Sequence, residues 1–274
     1  MKNIIITGGA GGIGAYLTKH LIRENYSITV IGRNKSRFEN LSINSSNVQF
    51  YTIDISSTKD VELFYKWYSD LNNSIFALIN AAGVQPPIGE FKNNNNQEWE
   101  NNLNTNIFGT ANMIKGAIPL LKIGKHNKII NFSGGGATSS RPNFSAYAVS
   151  KIAIVKLTEI IAHELNKYSI DVNAVAPGAI NTDMLKEIIE AGSDCAGVEY
   201  NDAIKRQKKG GESPDKIIEL CDFLLSERSN GISGKLISAI WDDYKNEKFI
   251  KRLKNDSDFC TLRRIDSTNF DKTN

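Results

Sequence analysis

The first twenty residues admit few folds. Asn3-Ile4-Ile5-Ile6-Thr7 is an unbroken β-branched run, which predicts a strand buried on both faces rather than one with a wet face. Gly8, Gly9, Gly11, Gly12 and Gly14 follow at once, and Tyr16, Leu17, Leu21 and Ile22 then recur at helical spacing. A strand that turns through glycines into a helix presents free N–H groups to an anion and lets backbone approach a ligand closely. A flexible glycine loop is the plain alternative. The strand before and the helix after favour dinucleotide phosphate binding over it.

The alternation then repeats. Residues 27–31 read as a second strand, ending in Gly32-Arg33-Asn34; residues 48–53 read as a third, ending in Asp54-Ile55, with a helix after it through Val61, Leu63, Phe64 and Trp67. Residues 75–79 lead into Asn80-Ala81-Ala82-Gly83, residues 128–132 into Ser133-Gly134-Gly135-Gly136, and residues 170–176 into Pro177-Gly178-Ala179-Ile180-Asn181-Thr182. A long helical pattern covers 97–121, and residues 235–240 read as the last strand. Ser213-Pro214 is read as N-cap and first-turn proline of a helix through Ile217, Ile218, Leu220, Phe223 and Leu224. Strands alternating with helices at this spacing predict an α/β fold with a parallel, doubly wound sheet and ligands at the strands' carboxyl ends.

At 274 residues, one domain is expected. A net charge of +3, from 33 basic and 30 acidic residues, gives no case for a nucleic-acid partner. Cys195, Cys221 and Cys260 are too scattered for a disulfide framework or a metal site and read as free thiols. The few apolar residues after Lys2 are too short for a signal peptide, and no apolar run reaches the roughly 18 residues of a membrane span. The expectation is a soluble, cytoplasmic protein without a metal.

The residues that bear chemistry sit at the expected strand ends. In Asn143–Lys151, NFSAYAVSK, Tyr147 and Lys151 are four apart and share one helical face, so the ammonium can favour the phenolate and bring a pKa near ~10 toward neutral pH. Surface decoration is the alternative for that pair taken alone. Arg33 stands where an acid would bond an adenosine ribose, which suits a 2′-phosphate instead. Asn80 to Gly83 are either small residues against a flat ligand or an ordinary turn, and Asn106, among apolar neighbours, is either structural or catalytic. The asparagine-rich loop at 86–96 reads as solvated.

Together these segments resemble the short-chain dehydrogenase/reductase family in its short single-domain branch. The resemblance rests on Thr7-Gly8-x-x-x-Gly12-Ile13-Gly14, Asp54, Asn80-Ala81-Ala82-Gly83, Trp99 with Asn106, Tyr147-x-x-x-Lys151 and Pro177-Gly178-x-x-x-Thr182, in the family's order and spacing over about residues 1 to 240. It implies a seven-stranded Rossmann fold binding NAD or NADP, with NADP(H) preferred over NAD(H) given Arg33. It also implies Tyr147 as general acid/base, Lys151 on the nicotinamide ribose, and Asn106 anchoring a relay water. Gly8, Gly12, Ile13, Gly14, Arg33, Asn34, Asp54, Ile55, Asn80 to Gly83, Pro177, Gly178, Ile180 and Thr182 are the cofactor-binding set. A homodimer or homotetramer packed through the helices of Asn106 and Tyr147 is implied as well.

Residues 183–211 are expected to form a substrate lid and 241–274 a C-terminal extension, in which Leu262-Arg263-Arg264-Ile265 interrupts the polar character. Ser133 to Thr138, Asn143 to Tyr147 and Ser238 to Asp243 resemble a subgroup linked to surface-polysaccharide synthesis. One departure stands out: counting thirteen residues back from Tyr147, to where the family has its substrate-orienting serine, lands on Gly134. The adjacent Ser133 would point to the opposite face if the strand continues; the alternatives are a kink through Gly134 to Gly136 that re-aims it, a hydroxyl from Thr138, Ser139 or Ser140, or no hydroxyl at all, the glycines then making room for a bulky substrate. Missing a second basic residue at Gly11 tempers the NADP preference. The expected activity is hydride exchange with a small or sugar-like carbonyl or alcohol. A sugar-nucleotide epimerase or dehydratase with bound NAD, and a non-catalytic dinucleotide sensor, are the alternatives.

Overall fold

In the computed structural model, which describes residues 1–71 and 74–264, every expected strand forms and all pair in parallel. They are β1 (Asn3–Thr7), β2 (Ser27–Gly32), β3 (Val48–Thr52), β4 (Ala77–Asn80), β5 (Asn127–Phe132), β6 (Ile170–Ala176) and β7 (Leu236–Ser238). Their order is β3-β2-β1-β4-β5-β6-β7, with the reversal of winding between β1 and β4. Among the described residues, ten α-helices cross between or follow them: α1 (Gly12–Arg23), α2 (Lys35–Glu39), α3 (Thr58–Asp70), α4 (Asn96–Leu103), α5 (Thr110–Leu121), α6 (Ser145–Leu165), α7 (Asp183–Ala196), α8 (Val198–Lys209), α9 (Asp215–Leu225) and α10 (Glu247–Asn255).

The isoleucine run of β1 explains the two layers. Side chains alternate across a strand, so Ile4 and Ile6 enter one core with Leu17 and Leu21 of α1 and Leu220 of α9, while Ile5 enters the other with Phe64 of α3 and Met113 of α5. Each of these side chains is essentially sealed from solvent. Burying one such side chain is worth about 1.5–3 kcal/mol, so the two cores dominate stability.

Boundaries differ from expectation where tertiary partners intervene. β4 starts at Ala77 instead of 75, and β3 stops at Thr52. β7 is only three residues long instead of six: Lys235 turns its ammonium onto the carbonyls of Asp256, Ser257 and Phe259, at 2.6, 3.2 and 2.9 Å. The C-terminal segment thereby closes over the sheet edge, with Leu236 N–H donating to Cys260 O, Ile250 and Leu253 of α10 in the core and Leu262 against Ala137, Val155 and Ala174. Ile265 lies outside the described residues. α9 begins one residue late, with Pro214 as N-cap, although Ser213 Oγ still accepts from Asp215 N–H at 3.2 Å.

The expected single helix over 97–121 is interrupted. Between α4 and α5, Asn104–Gly109 forms a π-helical turn. Its cause is tertiary: Asn102 donates to the carbonyls of Val84, Gln85 and Pro86, and Gly109 packs so closely on Ile55 that a Cβ would lie 2.7 Å from that side chain. Such turns re-aim side chains within a helix, and here the residue re-aimed is Asn106.

Candidate active site

The start of α6 carries Tyr147 and, one turn on, Lys151; both are buried. Trp99 Nε1 donates to Ser145 Oγ at 3.1 Å, which fixes α4 against this first turn. Lys151 Nζ donates to Phe132 O, the last carbonyl of β5, at 3.1 Å and stands 5.4 Å from the Tyr147 ring centre. Burial lowers the Lys151 pKa to about 8. Burial also raises that of Tyr147, with Glu187 and Glu199 adding to the rise and Arg141 opposing it. The expected lowering of the phenol toward neutral pH is not met here: removal from water outweighs the facing Arg141 cation.

Asn106 joins this pair to the loop after β4. Its Oδ1 accepts from Val84 N–H at 2.9 Å, and its Nδ2 lies 2.9 Å from Val84 O, 3.0 Å from Asn102 Oδ1 and 2.9 Å from Ser150 Oγ. Ser150 in turn donates to Tyr147 O at 2.7 Å. Asn102, not singled out in the sequence, was marked there only by its four-residue spacing from Asn106. Gly83 completes the wall, since a Cβ there would lie 3.2 Å from Asn106 Oδ1 and 3.4 Å from Lys151 Nζ.

A cavity of about 380 Å³ runs along the strand ends beside these residues, lined among others by Gly8, Gly12, Ile13, Arg33, Asn34, Asp54, Ile55, Ala81, Ala82, Gly83, Tyr147, Lys151, Pro177 and Thr182. Four expected cofactor residues lie elsewhere. Gly14 sits behind the turn, where a Cβ would lie 2.3 Å from Gly8 O, and Asn80 is buried, donating to Asn131 Oδ1 at 2.8 Å. Gly178 and Ile180 line the neighbouring cavity. The smaller cavity fits a dinucleotide on its own chemistry. α1 is N-capped by Gly11, with neither a side-chain cap nor an acid in its first turn, so its free N–H groups would meet an anion unopposed. Arg33 is exposed at the far end and carries no ion pair among the described residues.

Arg37 was missed in the sequence. Four residues after Arg33, it lays its guanidinium over Gly11, where a Cβ would meet Nη2 at 3.0 Å, and it pairs with Asp183. The second basic group that Gly11 lacks thus arrives from α2. The only sequence signal was the Arg33–Arg37 spacing.

The second cavity, of about 1180 Å³, opens on the other side of Tyr147. Gly134, Thr138 and Arg141 line it from the loop before α6, and Met184, Leu185, Ile188, Glu199, Lys205, Arg206 and Lys209 from α7 and α8. The segment expected to act as a lid, 183–211, forms these two helices, bent at Gly192 and joined at Gly197, both at positive φ, and seated through Leu185, Ile188, Ala196 and Ala203 on Phe144. Trp241, Cys260 and Leu262 form the far wall.

A serine at Gly134 would require the Tyr147 side chain to move: a Cβ there would lie 2.4 Å from its hydroxyl. Ser133 faces the smaller cavity instead, and its Oγ is buried with no partner among the described residues. Among the described residues no cluster of His, Cys, Asp or Glu could hold a metal ion, and no helix is long and apolar enough to cross a membrane.

A family model described as short chain dehydrogenase matches residues 2–192. The chain is 27% identical over 244 residues to a 3-oxoacyl-[acyl-carrier-protein] reductase FabG of Chlamydia trachomatis, covering 87% of this chain and 95% of that protein. It is 28% identical to a protein of the same name from Staphylococcus epidermidis, covering 86% and 96%. Among solved structures, ElxO with NADP bound superposes with a TM-score of 0.75 at 27% identity, covering 87% of this chain and 96% of that one.

Proposed function

The chain belongs to the short-chain dehydrogenase family, and on that premise we propose an NADP-preferring oxidoreductase that exchanges hydride with a carbonyl or alcohol carbon, Tyr147 acting as general acid/base. One observation carries the reading: Tyr147 lines both cavities, with Lys151 and Gly83 on one side and Gly134 on the other. A donor in the smaller cavity and an acceptor in the larger one meet at its hydroxyl. When bound, the nicotinamide supplies the hydride. Tyr147 gives the substrate oxygen its proton in reduction and removes it in oxidation. Lys151 holds the nicotinamide ribose, and Asn106, tied through Ser150 to the Tyr147 carbonyl, anchors the relay by which the phenol recovers its proton.

The α1 N-terminus with Gly8, Gly12 and Ile13 takes the pyrophosphate, Asp54 to Ile55 and Ala81 to Gly83 the adenosine side, and Pro177 and Thr182 the carboxamide. Arg33 takes the 2′-phosphate, aided by Arg37. The Arg37–Asp183 pair is half exposed, a kind worth about 0–1 kcal/mol, so it yields to phosphate contacts worth roughly 1.5–3 kcal/mol. The reductase names of the relatives and the NADP in the ElxO structure support carbonyl reduction with NADPH.

In this reading residues 1–240 are the catalytic unit, 183–211 its lid, and 241–274 an extension, of which Trp241, Asp242, Cys260, Thr261 and Leu262 finish the substrate cavity. Exposed Phe108, Val149, Ile152 and Ile160, on the helical faces around Asn106 and Tyr147, serve a homodimer or homotetramer. Free Cys195, Cys221 and Cys260 fit a reducing, cytoplasmic setting. The test is a panel of carbonyl and alcohol compounds followed by NADPH absorbance, with Tyr147→Phe as control. Turnover should vanish in the variant while NADPH affinity stays within about three-fold, because only the phenol is lost. Equal turnover in both proteins overturns the assignment.

A further inference from the structure

The glycines after β5 bed an arginine against Tyr147. A Cβ at Gly135 would touch Arg141 Cδ and Nε at 3.6 Å, and one at Gly136 would crowd the Arg141 Cβ at 3.0 Å. The guanidinium carbon then lies 4.0 Å from the Phe144 ring centre and 5.2 Å from that of Tyr147. Nε and Nη2 donate to the two Glu199 oxygens at 2.7 Å each, and Nη2 also to Gln85 Oε1 at 3.3 Å. The Arg141 side chain is largely buried, so this pair holds its geometry better than a surface pair would.

A guanidinium has five N–H donors in a rigid plane, and here those of Nη1 have no partner among the described residues. They remain for whatever enters the cavity that Arg141, Gly134 and Tyr147 line together. Gly134 carries no hydroxyl, and Ser133 faces the other cavity. We propose that Arg141 is the catalytic residue that fills this vacancy: its Nη1 donates to the substrate oxygen that Tyr147 protonates, and Glu199 of the lid is the positioning residue that holds it there. In reduction, hydride adds to the carbonyl carbon, the π pair moves to oxygen, and that oxygen takes the Tyr147 proton; Arg141 stays protonated throughout. The donor is aligned when α8 is seated, so lid closure and catalytic alignment become one event. The other charges facing Tyr147 are Glu187 of α7 and Lys151 on its own helix.

This inference rests on Tyr147 being the acid, and the experiment separates the two claims. Wild type, Tyr147→Phe, Arg141→Gln and Arg141→Lys are assayed with NADPH and ethyl acetoacetate as probe carbonyl. Arg141→Gln should lose about 10² in kcat, the usual cost of one oxyanion donor. NADPH affinity should be unchanged, Arg141→Lys should be intermediate, and added guanidinium should restore much of the loss. Glu199→Gln should lose less, with recovery in Glu199→Asp. In a substrate-free arm, tyrosinate absorbance against pH, taken as the difference from Tyr147→Phe, should move upward in Arg141→Gln because a facing cation is gone. Wild-type kcat in Arg141→Gln with Tyr147→Phe inactive overturns the Arg141 role alone, and full activity in Tyr147→Phe overturns the proposed function. If the probe is not turned over, an unshifted tyrosinate titration overturns the Arg141 role by itself.

Discussion

The two cavities that meet at Tyr147 are built by different means. On the cofactor side, backbone lies against backbone: a Cβ at Gly8 would sit 2.7 Å from Ala82 Cα, and one at Gly14 2.3 Å from Gly8 O. On the substrate side, Arg141, Gln85 and Glu199 meet through side chains, and the lid rests on a small apolar cluster around Phe144. A wall defined by what cannot be present has no room to change, whereas a wall of long side chains can be re-cut for another ligand while the fold persists. Under the proposed function, the hydride-transfer side is therefore the rigid half, and the side that would choose the substrate is the adaptable one.

Gly14→Ala is the harshest way to break that contrast. The clash is with backbone, so α1 must move, and overpacking of this kind should cost about 2–4 kcal/mol, lowering Tm by roughly 10 °C. An unchanged melting curve would remove the rigidity argument. Gly134→Ser tests the boundary itself: restoring the family's serine should displace the phenol and lower kcat by about 10² or more, the opposite of a rescue. A gain in kcat would mean that the phenol readily makes room.

Arg33→Ala should weaken NADPH binding roughly ten- to a hundred-fold and leave NADH nearly unaffected, since a charge-assisted bond to phosphate is worth about 1.5–3 kcal/mol. Titration of both cofactors decides it, and equal losses would place Arg33 outside the 2′-phosphate site. The pH dependence should be gentler. Lys151, with a pKa lowered to about 8, is charged below that value, so NADPH affinity should fall as pH rises through it, by up to roughly ten-fold at about pH 9. A flat profile in isothermal titration would detach the ammonium from the ribose. On the adaptable side, Ile188→Ala should raise KM several-fold while Tm moves by only about 3 °C, because the small lid cluster stands apart from the two sheet cores. A collapse in stability there would erase the contrast between the two walls.

Most of the cofactor side was legible from the chain. The strand at residues 3–7 was placed to the residue, because an all-apolar β-branched run can be satisfied only between two layers. Tyr147 and Lys151 came from four-residue spacing, and the glycine turn from a strand–turn–helix pattern, both of which are local. The substrate side was legible only as a lid of uncertain shape, since the bends at Gly192 and Gly197 depend on how α7 and α8 seat on Phe144.

Local order, meaning period, turn chemistry and the one-turn spacing of side chains, was thus determined by the sequence itself, and with it the parallel α/β sheet and the identity of the central pair. Tertiary structure alone decided the π-helical turn that re-aims Asn106, the placing of Arg37 over Gly11, the phenol in the space a serine would need, and the setting of Arg141 against Tyr147. It also decided the sign of the Tyr147 shift, since burial by surrounding elements outweighs the Arg141 cation that faces the phenol. The physical reason is common to all of these. Each depends on a distance between atoms far apart along the chain, set by how layers pack, and a short window of sequence contains only one partner of each pair.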